Sequence, residues 1–157
     1  MKTILGIDPG SQITGFGVIK SDGRQLQYVT SGYIKLGKIN FALRLQKIFQ
    51  QLSEVINAFT PNEVAIEQIF MHANANAALK LGQARGVAMV AAALHHITIV
   101  EYSALQIKKA VVGYGVADKH QVQHMVKVLL KLSGEIQPDA ADALAIAICH
   151  AHFNMQP

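Results

Sequence analysis

Thr3-Ile-Leu-Gly-Ile-Asp-Pro-Gly10 is the stretch that decides the fold of this chain. Its apolar run has the length and β-branched content of a buried strand. Asp8-Pro9-Gly10 ends that strand, because proline has no amide hydrogen for a ladder and glycine accepts a sharp turn. An acid at the end of a buried strand is costly unless something offsets its charge. Asp8 therefore raises the question of a partner.

Working outward, Thr14–Lys20 and Gln25–Tyr33 read as two further strands, with Ser21-Asp-Gly23 as the hairpin signal between them. The three strands make an antiparallel meander. Leu45, Ile48, Phe49, Leu52, Val55 and Ile56 then recur at helical spacing, and Pro61-Asn62 breaks the chain before a fourth strand, Glu63–Glu67. This strand also ends in an acid. Ala75–Ala93 predicts a second helix rich in small residues, in which Gly82 and Gly86 lie on one face and would admit another backbone closely. Ile97–Tyr102 predicts the fifth strand. Ser103-Ala-Leu-Gln106 is a capping box for a third helix. Gly113-Tyr-Gly115 opens a loop, and Asp118-Lys-His-Gln121 caps a fourth helix that runs to Leu132, where Ser133-Gly134 stops it. Pro138 starts the last helix, which runs to about His152. This order of strands and helices predicts an α/β domain with one sheet, spanning residues 1–157.

Composition sets the class. The chain has 157 residues, 51% hydrophobic and 15% charged, which is a core-rich globule rather than a disordered chain. Its net charge is +4 and its pI about 9.3, so basic residues must surround any acidic site. A polyanion reaching an acidic site across a basic surface is the natural partner. Cys149 is the only cysteine, which excludes an intrachain disulfide and a thiolate metal cluster and fits a reducing cytosol. The N-terminal apolar run is too short for a signal peptide, and no stretch reads as a membrane span. A cytoplasmic protein is expected.

The chemistry rests on four carboxylates. Asp8 and Glu67 each end a predicted strand. Asp139 and Asp142, in Pro138-Asp-Ala-Ala-Asp142, share one helix face. Carboxylates gathered by a fold indicate a hard divalent cation. The four acids together have ligands for two cations roughly 4 Å apart, one activating a water and one stabilising the leaving 3′ oxygen of a phosphodiester. Magnesium (with manganese as a substitute) suits an all-oxygen ligand set.

Gly6-Ile-Asp-Pro-Gly-Ser11, Thr14-Gly-Phe-Gly17, Ala65-Ile-Glu-Gln68 with Phe70, Leu79-Lys-Leu-Gly-Gln-Ala-Arg-Gly86 and Asp139-Ala-Ala-Asp-Ala-Leu-Ala145 closely resemble the RuvC family. These are Holliday-junction resolvases of the ribonuclease-H-like fold. The resemblance runs from about Ile4 to about His150 and implies a five-stranded mixed sheet flanked by helices. It also implies a magnesium-dependent homodimer that places paired nicks in four-way junction DNA during recombination and repair. A T-rich cleavage preference and coupling to a branch-migration helicase complex of the RuvA and RuvB type follow from the same resemblance. It further implies DNA contacts by Phe70, which would stack on or wedge between bases, by Lys119 at the scissile phosphate, and by Lys108 on the phosphate backbone. Arg85 would meet either phosphate or the partner subunit. Lys109 reads as an ordinary solvated lysine.

Other constellations are weaker. His120 and His124 are four apart, but no third ligand sits at a zinc spacing. His95 and His96 read as solvent-exposed caps of the second helix, His150 and His152 as lying on different sides of the last helix, and Cys149 as a small buried hydrophobe. Sugar kinases and actin-like ATPases also begin with a strand ending in Asp, but they enclose a nucleotide between two such domains, and 157 residues hold one. A non-catalytic DNA-binding dimer would not need all four acids. Metal-dependent nicking of a synthetic junction separates these classes.

Overall fold

The computed structural model describes residues 1–69 and 74–154. The chain runs β1 (Lys2–Asp8), β2 (Ile13–Ser21), β3 (Leu26–Lys35), α1 (Phe41–Phe59), β4 (Glu63–Glu67), α2 (Ala75–Leu94), β5 (Thr98–Tyr102), α3 (Ala104–Val112), α4 (Lys119–Leu129) and α5 (Pro138–Phe153). The five strands form one sheet in the order β3-β2-β1-β4-β5. The meander β1–β3 is antiparallel, and β1, β4 and β5 run parallel, so the sheet is mixed as expected. The architecture is α/β and ribonuclease-H-like.

Alternation along the central strands sorts the two faces. Leu5, Ile7, Val64 and Ile66 pack with Ile48, Leu52 and Ile56 of α1 and with Ala84, Ala88, Ala91 and Ala92 of α2. Ile4 and Ala65 face the other way, toward Ile107 of α3, Val122 and Val126 of α4, and α5. By the same alternation Asp8 and Glu67 belong to this second face.

α5 carries apolar residues all round because it is enclosed all round; Ala143 through Ala151 are buried without a break. It seats on a trough of glycines. A Cβ on Gly6 would strike the Ala143 carbonyl, one on Gly15 the Asp139 carbonyl, and one on Gly17 the Leu144 side chain. The missing side chains let the helix backbone rest on β1 and β2. At its far end, His150 is buried between Tyr102 and Glu63. Its Nδ1 lies 2.7 Å from Tyr102 Oη and its Nε2 2.6 Å from Glu63 Oε2. Lys2 Nζ donates to Glu63 Oε1 at 2.8 Å. Burial pushes the Glu63 carboxyl up, but Lys2 and His150 outweigh it and hold the group below its ordinary value. His152 lies on another side of the helix, with Nδ1 2.8 Å from the Ala110 carbonyl.

Several local expectations shift. α4 ends before Leu132: Lys131 adopts φ 54° and the Leu132 amide donates back to the Lys127 carbonyl, a Schellman closure that stops the helix before Ser133-Gly134. His96 ends α2 in the same way at φ 57°, while His95 is only half exposed and bonds Ala91 and Asn57. Nothing lies within 4 Å of a Cβ placed on Gly82 or Gly86, so among the described residues no backbone makes the close approach that the sequence predicts. The expectation that no stretch is long and apolar enough for a membrane also needs correction. Ala75–Leu94 reaches a mean hydropathy of 1.2 over an 18-residue window. Here its alanine face packs on the sheet, and its apolar length serves the core and an open groove rather than lipid.

Candidate active site

β1 and β4 are hydrogen-bonded neighbours with Ile7 opposite Ile66, so Asp8 and Glu67 leave the sheet side by side. Asp8 pairs across to Gly15, and Gly15 lies against the Asp139 peptide. The glycine thus brings the first turn of α5 down beside Asp8. Oxygens of Asp8, Asp139 and Asp142 fall within 4.8 Å of one another. Among the described residues this is the group of acids and histidines close enough to share a metal ion. His120 and His124 are exposed and do not join it.

The electrostatics follow from the crowding. Burial, followed by the charges of Asp142, Glu67 and Asp139, pushes the Asp8 carboxyl up to about 8. Burial and Asp142 raise Glu67, with Lys108 and Lys119 opposing. Burial likewise raises Asp142, against the pull of Lys119. Lys119 Nζ sits 3.0 Å from Asp142 Oδ2, and that bond raises its own ammonium above the ordinary lysine value. Four half-buried acids answered by one close lysine form a site short of positive charge. The donor set fits a hard divalent cation: all ligands are carboxylate oxygens, and their ionisation is unfavourable only while the charge is uncompensated.

Lys119 reaches this place because Asp118 caps α4 in a reciprocal box with Gln121, which puts Lys119 in the first helical position. Lys108, on α3, lines a groove with Glu67, Lys119, Val122 and Asp142. Lys109 is exposed in the last turn of α3. Phe70 lies outside the described residues. Cys149 is buried, which pushes its thiol up to about 12 and leaves it an inert apolar filler.

Arg85 turns its guanidinium inward: its side chain is 14% exposed and its nitrogens bond within the chain. Nε donates to the Glu67 carbonyl at 3.0 Å, Nη1 to Met89 Sδ at 3.3 Å, and Nη2 pairs with Glu101.

Two contributors escaped the sequence reading. Gln137 caps α5 by accepting from the Ala140 amide and donates to Asp139 Oδ2 at 2.7 Å. It therefore orients a candidate ligand. Its position just before Pro138 was the available signal. Thr14 is fully buried; its hydroxyl donates to the Gly10 carbonyl at 3.0 Å and accepts from the Gly10 amide at 3.2 Å. Those bonds fix the turn that follows Asp8.

Residues 4–150 match the family described as crossover junction endodeoxyribonuclease RuvC. A protein of that name from Marinobacter nauticus is 59% identical over 154 residues, covering 98% of this chain and 88% of its own length. One from Vibrio cholerae is 56% identical, covering 98% of this chain and 89% of its own length. Among solved structures, Thermus thermophilus RuvC in complex with Holliday junction substrate superposes with a TM-score of 0.93 at 32% identity, covering 99% of this chain and 96% of that one. The yeast mitochondrial Holliday junction resolvase Ydc2 superposes with a TM-score of 0.70 at 14% identity over 96% of this chain and 78% of its own, a likeness of fold.

Proposed function

This chain belongs to the RuvC family of crossover junction endodeoxyribonucleases, and we propose that it cuts four-way DNA junctions at the cluster of Asp8, Glu67, Asp139 and Asp142. The protein is a Holliday-junction resolvase that serves recombination and repair. The observation that carries the assignment of the site is the meeting of Asp8, Asp139 and Asp142 oxygens within 4.8 Å, with Asp8 held up to about 8 by burial and by its acidic neighbours.

The reaction is hydrolysis of a phosphodiester: a water oxygen bonds to phosphorus, the bond to the 3′ oxygen breaks, and that oxygen takes a proton. Divalent cations, two per subunit and magnesium by the hardness of the ligands, supply Lewis acidity for both ends of that displacement when bound. Asp8 on β1 and Asp139 and Asp142 on α5 would hold them, and Glu67 completes the ring from β4. Gln137 keeps Asp139 turned inward. Lys119, paired with Asp142 at 3.0 Å, would be free to meet the scissile phosphate once a cation compensated that carboxylate. Lys108 lies along the same groove and holds the strand by its backbone. Phe70, which follows Glu67 closely in sequence, stacks on bases at the junction point. Phe70→Ala then loses cleavage while keeping the wild-type melting temperature.

A four-way junction needs nicks on two opposing strands, and each chain supplies one cluster, so the working unit is a symmetric homodimer. The open face of α1 and α2 is suited to the contact. Phe41, Leu45, Phe49, Gly86, Val87 and Val90 line an apolar groove of about 690 Å³ there. Leu79, Val90 and Leu94 stand exposed along the same helix. The protein works in the cytoplasm with a branch-migration complex of the RuvA and RuvB type.

The test is nicking of a synthetic four-way junction against a linear duplex of the same sequence. Cleavage confined to the junction and supported by magnesium or manganese, with calcium supporting binding alone, is expected. Magnesium-independent cleavage would remove the cation from the mechanism.

A further inference from the structure

Taking the four-carboxylate site above as its premise, we propose that Arg85 is a positioning residue, which holds the Glu67 peptide from the face of the sheet opposite the one its carboxylate serves. The need arises from the sequence at two strand ends. The Gln68 amide donates to the Tyr102 carbonyl of β5 at 2.8 Å. The carbonyl of Glu67 belongs to the same trans peptide and so points the other way, toward β1. On β1 the residue after Asp8 is Pro9, which has no N–H to give. The ladder therefore fails at a peptide that carries a candidate metal ligand. A carbonyl left without a donor in a partly buried place is costly and free to rotate. Arg85 Nε occupies that position at 3.0 Å.

The rest of the guanidinium is fixed so that this bond is directional. Nη2 pairs with Glu101, which stands on β5 next to Tyr102, and Nη1 meets Met89 one turn along α2. Arg85 thus ties three elements together: α2, the exit of β4 and the end of β5. A planar fork with several donors does this in a way that a lysine cannot. Two consequences follow. The Glu67 carboxylate, aimed at the α5 face, keeps its place only while its backbone is held. And Arg85 precedes Gly86 and Val87, which line the apolar groove of α2, so the seat of that helix is mechanically joined to the metal site.

The experiment compares Arg85→Ala, Arg85→Lys, Glu101→Ala and Glu67→Gln in the 157-residue chain. Three quantities are read: the single-turnover nicking rate at saturating junction, junction affinity in calcium, and Mn²⁺ binding to the DNA-free protein by calorimetry. Positioning predicts that Arg85→Ala lowers the saturated rate and the Mn²⁺ affinity each by about tenfold or more, the range for loss of a group that orients a ligand. Junction affinity stays unchanged, and excess Mn²⁺ recovers part of the rate. Arg85→Lys restores part of both, having a single donor nitrogen in place of the fork, and Glu101→Ala shows the same pattern more weakly, which keeps the test open if Arg85→Ala does not fold. Wild-type rate and Mn²⁺ affinity in Arg85→Ala and Glu101→Ala would overturn the proposal. So would weakened junction binding with an intact saturated rate, the signature of a phosphate contact. Glu67→Gln separates the two levels: if it nicks normally, the site assignment itself fails; if it is dead while Arg85→Ala is normal, only the role of Arg85 fails.

Discussion

Gly15 lies directly under the Asp139 peptide, with no room for a side chain between them. A hydrogen in place of a methyl group at this point sets the height of α5 above the sheet, and with it the distance from Asp139 and Asp142 to Asp8. Gly15→Ala forces the helix outward. Overpacking of this kind costs about 1–3 kcal/mol, and a shift near 1 Å at a reacting centre costs on the order of 100-fold in rate. We expect a lowered melting temperature together with a cleavage loss larger than the stability loss explains. A variant with wild-type nicking would show that α5 is not seated by this contact.

The metal-free protein should lose stability as the pH rises. Burial and the neighbouring acids move Asp8 from 3.8 to about 8 on folding. Below pH 4 the group is protonated in both states and the folded form bears no penalty. Between 4 and 8 the unfolded chain releases the proton and the folded chain retains it, so each rise in pH favours unfolding; above 8 the loss is complete. The raised Glu67 and Asp142 act in the same direction. Thermal melts in EDTA across this range should fall, Asp8→Asn should flatten the trend, and magnesium should oppose it. A flat wild-type profile in EDTA would mean that the acids are not in mutual contact.

Lys119 is 64% exposed and pairs with Asp142 at 3.0 Å. Exposed pairs contribute only about 0–1 kcal/mol, so Lys119→Ala should leave the melting temperature nearly unchanged. Its effect belongs to the transition state, where loss of one well-placed donor typically costs about 100- to 1,000-fold. Single-turnover rates should fall on that scale while junction affinity in calcium holds. An unchanged rate would take Lys119 out of the chemistry.

Dimer formation through α1 and α2 is tested at Val90, which is 51% exposed on the apolar groove. Val90→Glu should give a folded monomer by light scattering and uncouple the two nicks. Met89 is a poorer probe, because it packs in the core and touches Arg85. A Val90→Glu dimer would place the interface on another surface.

The frame of the site was legible because it is written locally. Asp8 before Pro9, the reciprocal caps Ser103–Gln106 and Asp118–Gln121, and Pro138 ahead of two acids three residues apart each declare an element and the place of a functional group on it. Gln137 and Thr14 escaped although they act on residues two to four positions away; the rest was set by contacts between distant segments. Nothing around His150 announces Glu63, 87 residues away, and nothing around Arg85 announces the Glu67 carbonyl. The end of α4 escaped for a different reason. Lys131 takes a left-handed backbone conformation that glycine would have advertised and lysine does not.

The most direct measurement of the central claim is single-turnover nicking of a synthetic four-way junction by Asp8→Asn, Glu67→Gln, Asp139→Asn and Asp142→Asn at saturating magnesium, with junction binding checked in calcium. If the four carboxylates hold the cations, each variant binds the junction and none nicks it. Full nicking by any one of them would remove that residue from the site, and full nicking by Asp8→Asn would contradict the account at its centre.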